Sequence, residues 1–136
     1  MKTLLEQSFP ARTEALASVR SAVGHVCKEA GCGDDCAEQV VLAINEACMN
    51  IIQHGYGFAG EADFLLCIGV DDGVLEARLL DNGRSVSEAD LCPRALEELR
   101  PGGLGVRFIR DLMDGLAYVQ PPDGFTNCLQ LKKRIY

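Results

Sequence analysis

Two hydrophobic rhythms run along this chain. Between about residues 11 and 30, Leu16, Val19, Val23 and Val26 recur every three or four positions. After a break at "GCGD", a longer run does the same through Ala37, Val40, Val41, Ile44, Ala47, Cys48, Ile51 and Ile52. Such steps place side chains on one face of a helix, so both runs predict amphipathic helices. The second is expected to be capped by Asp34 or Asp35 and to extend to about His54, where "GYGFAGE" ends it. A third run, Val106, Ile109, Leu112, Met113 and Leu116, predicts a helix from about Gly105.

The second rhythm has a period of two and marks strands. "TLLEQSFP" predicts a short strand ended by Pro10. "ADFLLCIGV" and "VLEARLLD" predict a hairpin around the turn "DDG" at 71–73. In its second strand Leu75, Ala77, Leu79 and Asp81 share a face, so an aspartate closes the side expected to meet the helices. "LAYVQP" and "FTNCLQLKKRIY", separated by "PDG", predict two more strands. The polar stretch "NGRSVSEADLCPRALEELRPGG" reads as a long loop with short helical turns, a length usually tied to function. The order β, α, α, β, β, loop, α, β, β predicts an α+β fold: a two-layer sandwich, its mostly antiparallel mixed sheet covered on one face by helices.

With 136 residues the chain reads as one domain spanning 1–136. Thirteen basic against twenty acidic residues give a net charge of −7, and "KKR" at 132–134 is its one basic cluster. That balance disfavours nucleic acid as a partner. An anionic ligand would need backbone N–H groups, a metal ion or local basic residues, because the overall field opposes it. No apolar run approaches the roughly 20 residues that span a bilayer. The charged start lacks the pattern of a secretory signal, so no membrane partner and a cytoplasmic location are expected. Seven cysteines without a leader are expected to be free thiols. His25, Cys27, Cys32 and Cys36 lie close together, but their spacing matches no standard zinc pattern.

Three polar clusters interrupt the apolar pattern. In "NEACMNIIQHGYG", Glu46, Asn50 and His54 stand four residues apart, a drift of about 40 degrees per step along one edge of a helix. A carboxylate there suits a general base, and an Asn oxygen suits hydrated Mg²⁺. In "LLDNGRS", Asp81 ends a strand and Gly83 follows, so a carboxylate can accept an adenine's exocyclic amine while the glycine leaves room. In "RPGGLGVRFIRDLMD", glycines precede a helix whose first N–H groups can wrap a phosphate. Taken singly, the first reads as the solvated flank of a helix and the second as an ordinary strand exit. The third lacks a P-loop lysine and the strand that precedes a dinucleotide fingerprint.

In order, E-x-x-x-N-x-x-x-H-G, D-x-G and G-x-G resemble the GHKL (Bergerat-fold) ATPases, and most closely the bacterial anti-sigma factor serine-protein kinases. The resemblance spans nearly the whole chain. It implies ATP and Mg²⁺ as cofactors, with Glu46 as general base, Asn50 as Mg²⁺ ligand, Asp81 reading adenine and Gly83 beside it. Gly103, Leu104 and Gly105 would shape the phosphate end, residues 86–102 would form an ATP lid, and His54 would either pack under the adenine or touch it. Ser85 stands where the family often has a second glycine, and Arg100 or Arg107 would meet the terminal phosphate. The implied activity is transfer to a serine of a STAS-domain anti-anti-sigma protein, with a sigma factor as a second partner and pairing into a homodimer. A nucleotide-gated binding module without transfer, or the catalytic part of a histidine kinase system, are the alternatives.

Overall fold

The computed structural model describes residues 1–55, 62–83 and 103–136, with the backbone alone described at 54, 55 and 103–106. Five strands form one sheet in the order β1-β2-β3-β5-β4: β1 (Lys2–Pro10), β2 (Asp63–Asp71), β3 (Val74–Asp81), β4 (Gly115–Val119) and β5 (Asn127–Arg134). All four neighbouring pairs are antiparallel. The helices are α1 (Leu16–Glu29), α2 (Asp34–Asn50) and α3 (Gly103–Leu112). Among the described residues the predicted order of strands and helices is therefore present, and the loop expected between β3 and α3 lies outside them.

The β2–β3 hairpin follows from its turn. Asp72 and Gly73 adopt φ of 50° and 77°, the pair of left-handed residues that a tight two-residue turn requires. Its register sets Leu66 opposite Leu79, Ile68 opposite Ala77 and Val70 opposite Leu75. The alternation seen in the sequence then sends Phe64, Leu66, Ile68, Leu75, Ala77 and Leu79 into one core with α1, α2 and α3. Phe9 of β1 stacks on Phe64 with ring centroids 5.9 Å apart. Leu80 and Cys128, paired across β3 and β5, are buried on the opposite face and lie outside that cluster.

Three local expectations change. The residue capping α2 is Gly33 in extended conformation, without a side-chain hydrogen bond. Asp34 and Asp35 instead occupy the first turn, where their charge complements the helix dipole. The first helix starts at Leu16, after a 3₁₀ turn over Thr13–Ala15. The third ends at Leu112, so Leu116 belongs to β4. Lys133 Nζ donates to the Leu112 carbonyl at 2.7 Å and the Asp114 N–H to Lys132 O at 2.9 Å, turning the chain into the sheet. Continuing helical spacing hid that exit.

Candidate functional site

Asp81 is the last residue of β3, and the strand's alternation turns it toward the helical layer with only 5% of its surface exposed. Across the ladder it faces Asn127, the first residue of β5, itself buried. Asn127 Nδ2 donates to Asp81 Oδ1 at 3.0 Å, and the Gly83 N–H donates to the same oxygen at 2.9 Å. The second oxygen, Oδ2, takes no hydrogen bond from a described residue. Burial pushes the carboxyl up from its ordinary value, and the bonds from Asn127 and Gly83 pull back only part of that rise. The strand end is fastened further: Thr126 N–H lies 3.0 Å from Asp81 O and 2.9 Å from Asn82 Oδ1.

Asn127 was missed in the sequence, although a signal existed. With Leu129 and Leu131 it makes a second alternation on the core face that ends in a polar residue, mirroring Leu79 and Asp81. A polar group at the end of two paired apolar stripes marks a place where the core opens onto something polar.

Glu46 and Asn50 project from the last two turns of α2, on the edge of its apolar stripe, and both are half-buried. Neither side chain takes a hydrogen bond or ion pair from a described residue. Next to them Asn45 ties α2 to α1, its Oδ1 accepting from Arg20 Nη1 at 2.9 Å. At Ile51 the α-helix gives way to a π turn, Ile51–Gly55, which includes His54. The regular stripe expected through His54 thus holds for Glu46 and Asn50 and changes pitch before the histidine. Such single π turns occur frequently at functional sites.

Gly103 opens α3, so the backbone of Gly103, Leu104 and Gly105 forms its first turn, two residues earlier than spacing predicted. The first N–H groups of a helix have no partner within it and lie at the positive end of its dipole. α3 packs against α2, the helix that carries Glu46 and Asn50. Arg107, one turn into α3, is exposed. Arg100, Ser85 and the proposed lid at 86–102 lie outside the described residues. Among the described residues no cluster of three or more His, Cys, Asp or Glu could hold a metal ion, and no helix is long and apolar enough to cross a membrane.

A family profile described as a histidine kinase-like ATPase domain matches residues 9–133. The serine-protein kinase RsbW of Bacillus thuringiensis (strain Al Hakam) is 31% identical over 121 residues, covering 82% of this chain and 74% of that kinase. RsbW of Bacillus velezensis is 31% identical over 130 residues, covering 90% and 81%. Among solved structures, one of the RsbU and RsbW domains of a Mycobacterium tuberculosis protein superposes with a TM-score of 0.67 at 18% identity. It covers 97% of this chain, which spans 33% of that one. The histidine kinase domain of a blue-light activated kinase from Erythrobacter litoralis gives a TM-score of 0.56 at 21% identity, with coverage of 93% and 62%. These neighbours share the helix-on-sheet fold. The chain belongs to the histidine kinase-like ATPase domain family and is homologous to the RsbW serine-protein kinases.

Proposed function

We propose that this protein is an ATP-dependent serine-protein kinase of the anti-sigma factor type, acting on a serine of a STAS-domain partner. The observation that carries the nucleotide reading is the buried Asp81 carboxylate, held by two donors on Oδ1 and with no donor on Oδ2 among the described residues. A buried carboxylate fixed in this way is an acceptor waiting for a donor, which adenine's exocyclic amine provides. Kinase chemistry is supported by the relatives' name, serine-protein kinase.

Phosphoryl transfer depends chiefly on positioning and on neutralising charge. Asp81 and Gly83 would hold the adenine end. The first-turn amides at Gly103, Leu104 and Gly105 would face the phosphates, joined by Arg100 or Arg107. Local donors of this kind are needed in a chain of net charge −7. Asn50 fits a hard cation: its amide is half-buried, at the edge of the core, and takes no bond from a described residue. Bound there, Mg²⁺ would offset the charge on the phosphate oxygens. Glu46, one turn before Asn50 and likewise unpaired among the described residues, would orient the attacking hydroxyl and take its proton. His54 would flank the adenine pocket.

Incubating the protein with labelled ATP and candidate STAS-domain proteins tests this reading, with acid-stable phosphoserine as the expected product. Glu46→Ala should abolish transfer and leave ATP binding intact. Nucleotide binding without transfer to any candidate would favour the binding-module alternative. Acid-labile label would point instead to phosphohistidine.

A further inference from the structure

The turn between α1 and α2 draws three cysteines together. α1 ends in a left-handed Gly31 with φ of 82°, and two backbone bonds close the end: Gly31 N–H to Lys28 O at 3.1 Å and Cys32 N–H to Cys27 O at 3.0 Å. This six-to-one closure brings the side chain after the glycine onto the last helical turn, so Cys32 meets Cys27. Only Gly33 separates Cys32 from α2, whose first turn carries Cys36 back over it. One residue thereby serves as the end of one helix and the approach to the next.

The helix-end contact accounts for Cys27 beside Cys32, since a small apolar pair normally fills that position. It does not account for Cys36. The Cys32 Sγ–Cys36 Sγ distance is 2.6 Å, with Cys32 donating. Non-bonded atoms rest about 3.5–4 Å apart, whereas a disulfide spans about 2.05 Å. The two sulfurs lie nearer the bonded distance. Both residues are half-buried, so a small oxidant can reach them, whereas Cys27 is fully buried. A metal centre does not fit this geometry, because no described cluster could hold an ion, and His25 turns away to pair with Glu29 at 2.8 Å.

We propose that Cys32 and Cys36 form a dithiol that a peroxide closes to an intramolecular disulfide. The Cys36 sulfur attacks one peroxide oxygen, breaking the O–O bond and releasing water, and becomes a sulfenic acid. The Cys32 sulfur then displaces the hydroxyl from Cys36, and its own proton leaves with that hydroxyl as a second water. Two thiols are oxidised by two electrons in all, and one peroxide is reduced to two waters. The bond joins groups already in contact, and it ties the linker residue that closes the end of α1 to the first turn of α2. It owes nothing to the nucleotide reading.

The test uses the reduced full-length chain, treated under native conditions with excess hydrogen peroxide, followed by alkylation of remaining thiols and fragment mass mapping. The free-thiol count should fall by two from seven, and the bond should map to Cys32 and Cys36. Cys36→Ser should block the loss, Cys32→Ser should lose at most the Cys36 thiol, as a sulfenic acid or its further oxidation product and with no disulfide, and Cys27→Ser should leave the paired loss in place. A bond between any other pair or between two chains, persistence of the loss in Cys36→Ser, or survival of all seven thiols would overturn the proposal.

Discussion

Replacing Asp81 by Asn exchanges one oxygen for nitrogen and, through its neighbours, reverses the polarity of a single contact. Gly83 N–H and Asn127 Nδ2 both donate to Oδ1, at 2.9 and 3.0 Å. An Asn at position 81 keeps those bonds only if its carbonyl oxygen takes the Oδ1 place, which leaves its NH₂ where Oδ2 had been. On the proposed reading adenine's amine then meets a donor instead of an acceptor. The charge-assisted bond is worth about 1.5–3 kcal/mol, and an unsatisfied buried donor costs about 1–3 kcal/mol more. Even the lower ends together weaken ADP binding by about sixtyfold. Guanine presents a carbonyl where adenine presents the amine, so the variant should also narrow the preference for ADP over GDP.

The stability of the free protein should move the other way. Burial raises the folded-state value of the Asp81 carboxyl above its unfolded one, so between the two the folded protein holds the extra proton. Stability therefore falls as pH climbs through that window, and above it the buried charge remains a constant burden. Asn carries no such charge, so Asp81→Asn should melt at or above the wild-type temperature at neutral pH. In the wild type, acidification should weaken ADP binding earlier than an ordinary aspartate would allow, because the acceptor is lost as pH falls through the raised value. Calorimetric titration with Mg·ADP and GDP, alongside thermal melts at neutral and mildly acidic pH, reads all of these. Binding within about threefold of wild type, where about sixtyfold or more is expected, would refute the role of Asp81. A drop in melting temperature and affinity together would make it a structural residue.

Asn127→Ala removes one of the two donors on Oδ1 and should cost about 1–2 kcal/mol in denaturant unfolding, with a smaller loss of ADP affinity than Asp81→Asn. Gly73→Ala forces a side chain into φ of 77° with the Tyr136 ring 3.3 Å from the new Cβ, and should destabilise by about 1–2 kcal/mol. Thermal melts read that loss, and ADP affinity should stay unchanged because the turn lies at the far end of β3 from Asp81.

What the sequence revealed divides by the range of the interactions involved. The β2–β3 hairpin was legible because Asp72 and Gly73 fix their own turn, and the burial of Leu75, Ala77, Leu79 and Asp81 followed from alternation within one strand. The pairing of Asp81 with Asn127 was not, because it depends on β5 joining β3 in a particular register across 46 positions of chain. A strand's own pattern says which face a residue takes but not which neighbour it meets. The α2 cap failed for a related reason. Aspartate is a good capping residue in general, but the helix begins at whichever residue turns extended, and here that is Gly33.

The candidate site joins these two kinds of information, and the join has a consequence. Glu46 and Asn50 are placed by helix geometry alone, since a four-residue step keeps them on one edge of α2 until the π turn at Ile51 changes the pitch. Asp81 is placed by the sheet, through the β3–β5 register and the bonds from Thr126 to Asp81 O and Asn82 Oδ1. On the proposed reading the adenine end depends on long-range strand pairing and the catalytic end on local helix propagation. Substitutions that loosen the start of β5 should therefore raise Kd for ADP with little effect on the rate of transfer at saturation. Substitutions on the Glu46–Asn50 edge should lower that rate while ADP affinity in the absence of Mg²⁺ stays near wild type. If both classes of variant moved both quantities in proportion, the two ends would not be independently placed, and the division drawn from the fold would be wrong.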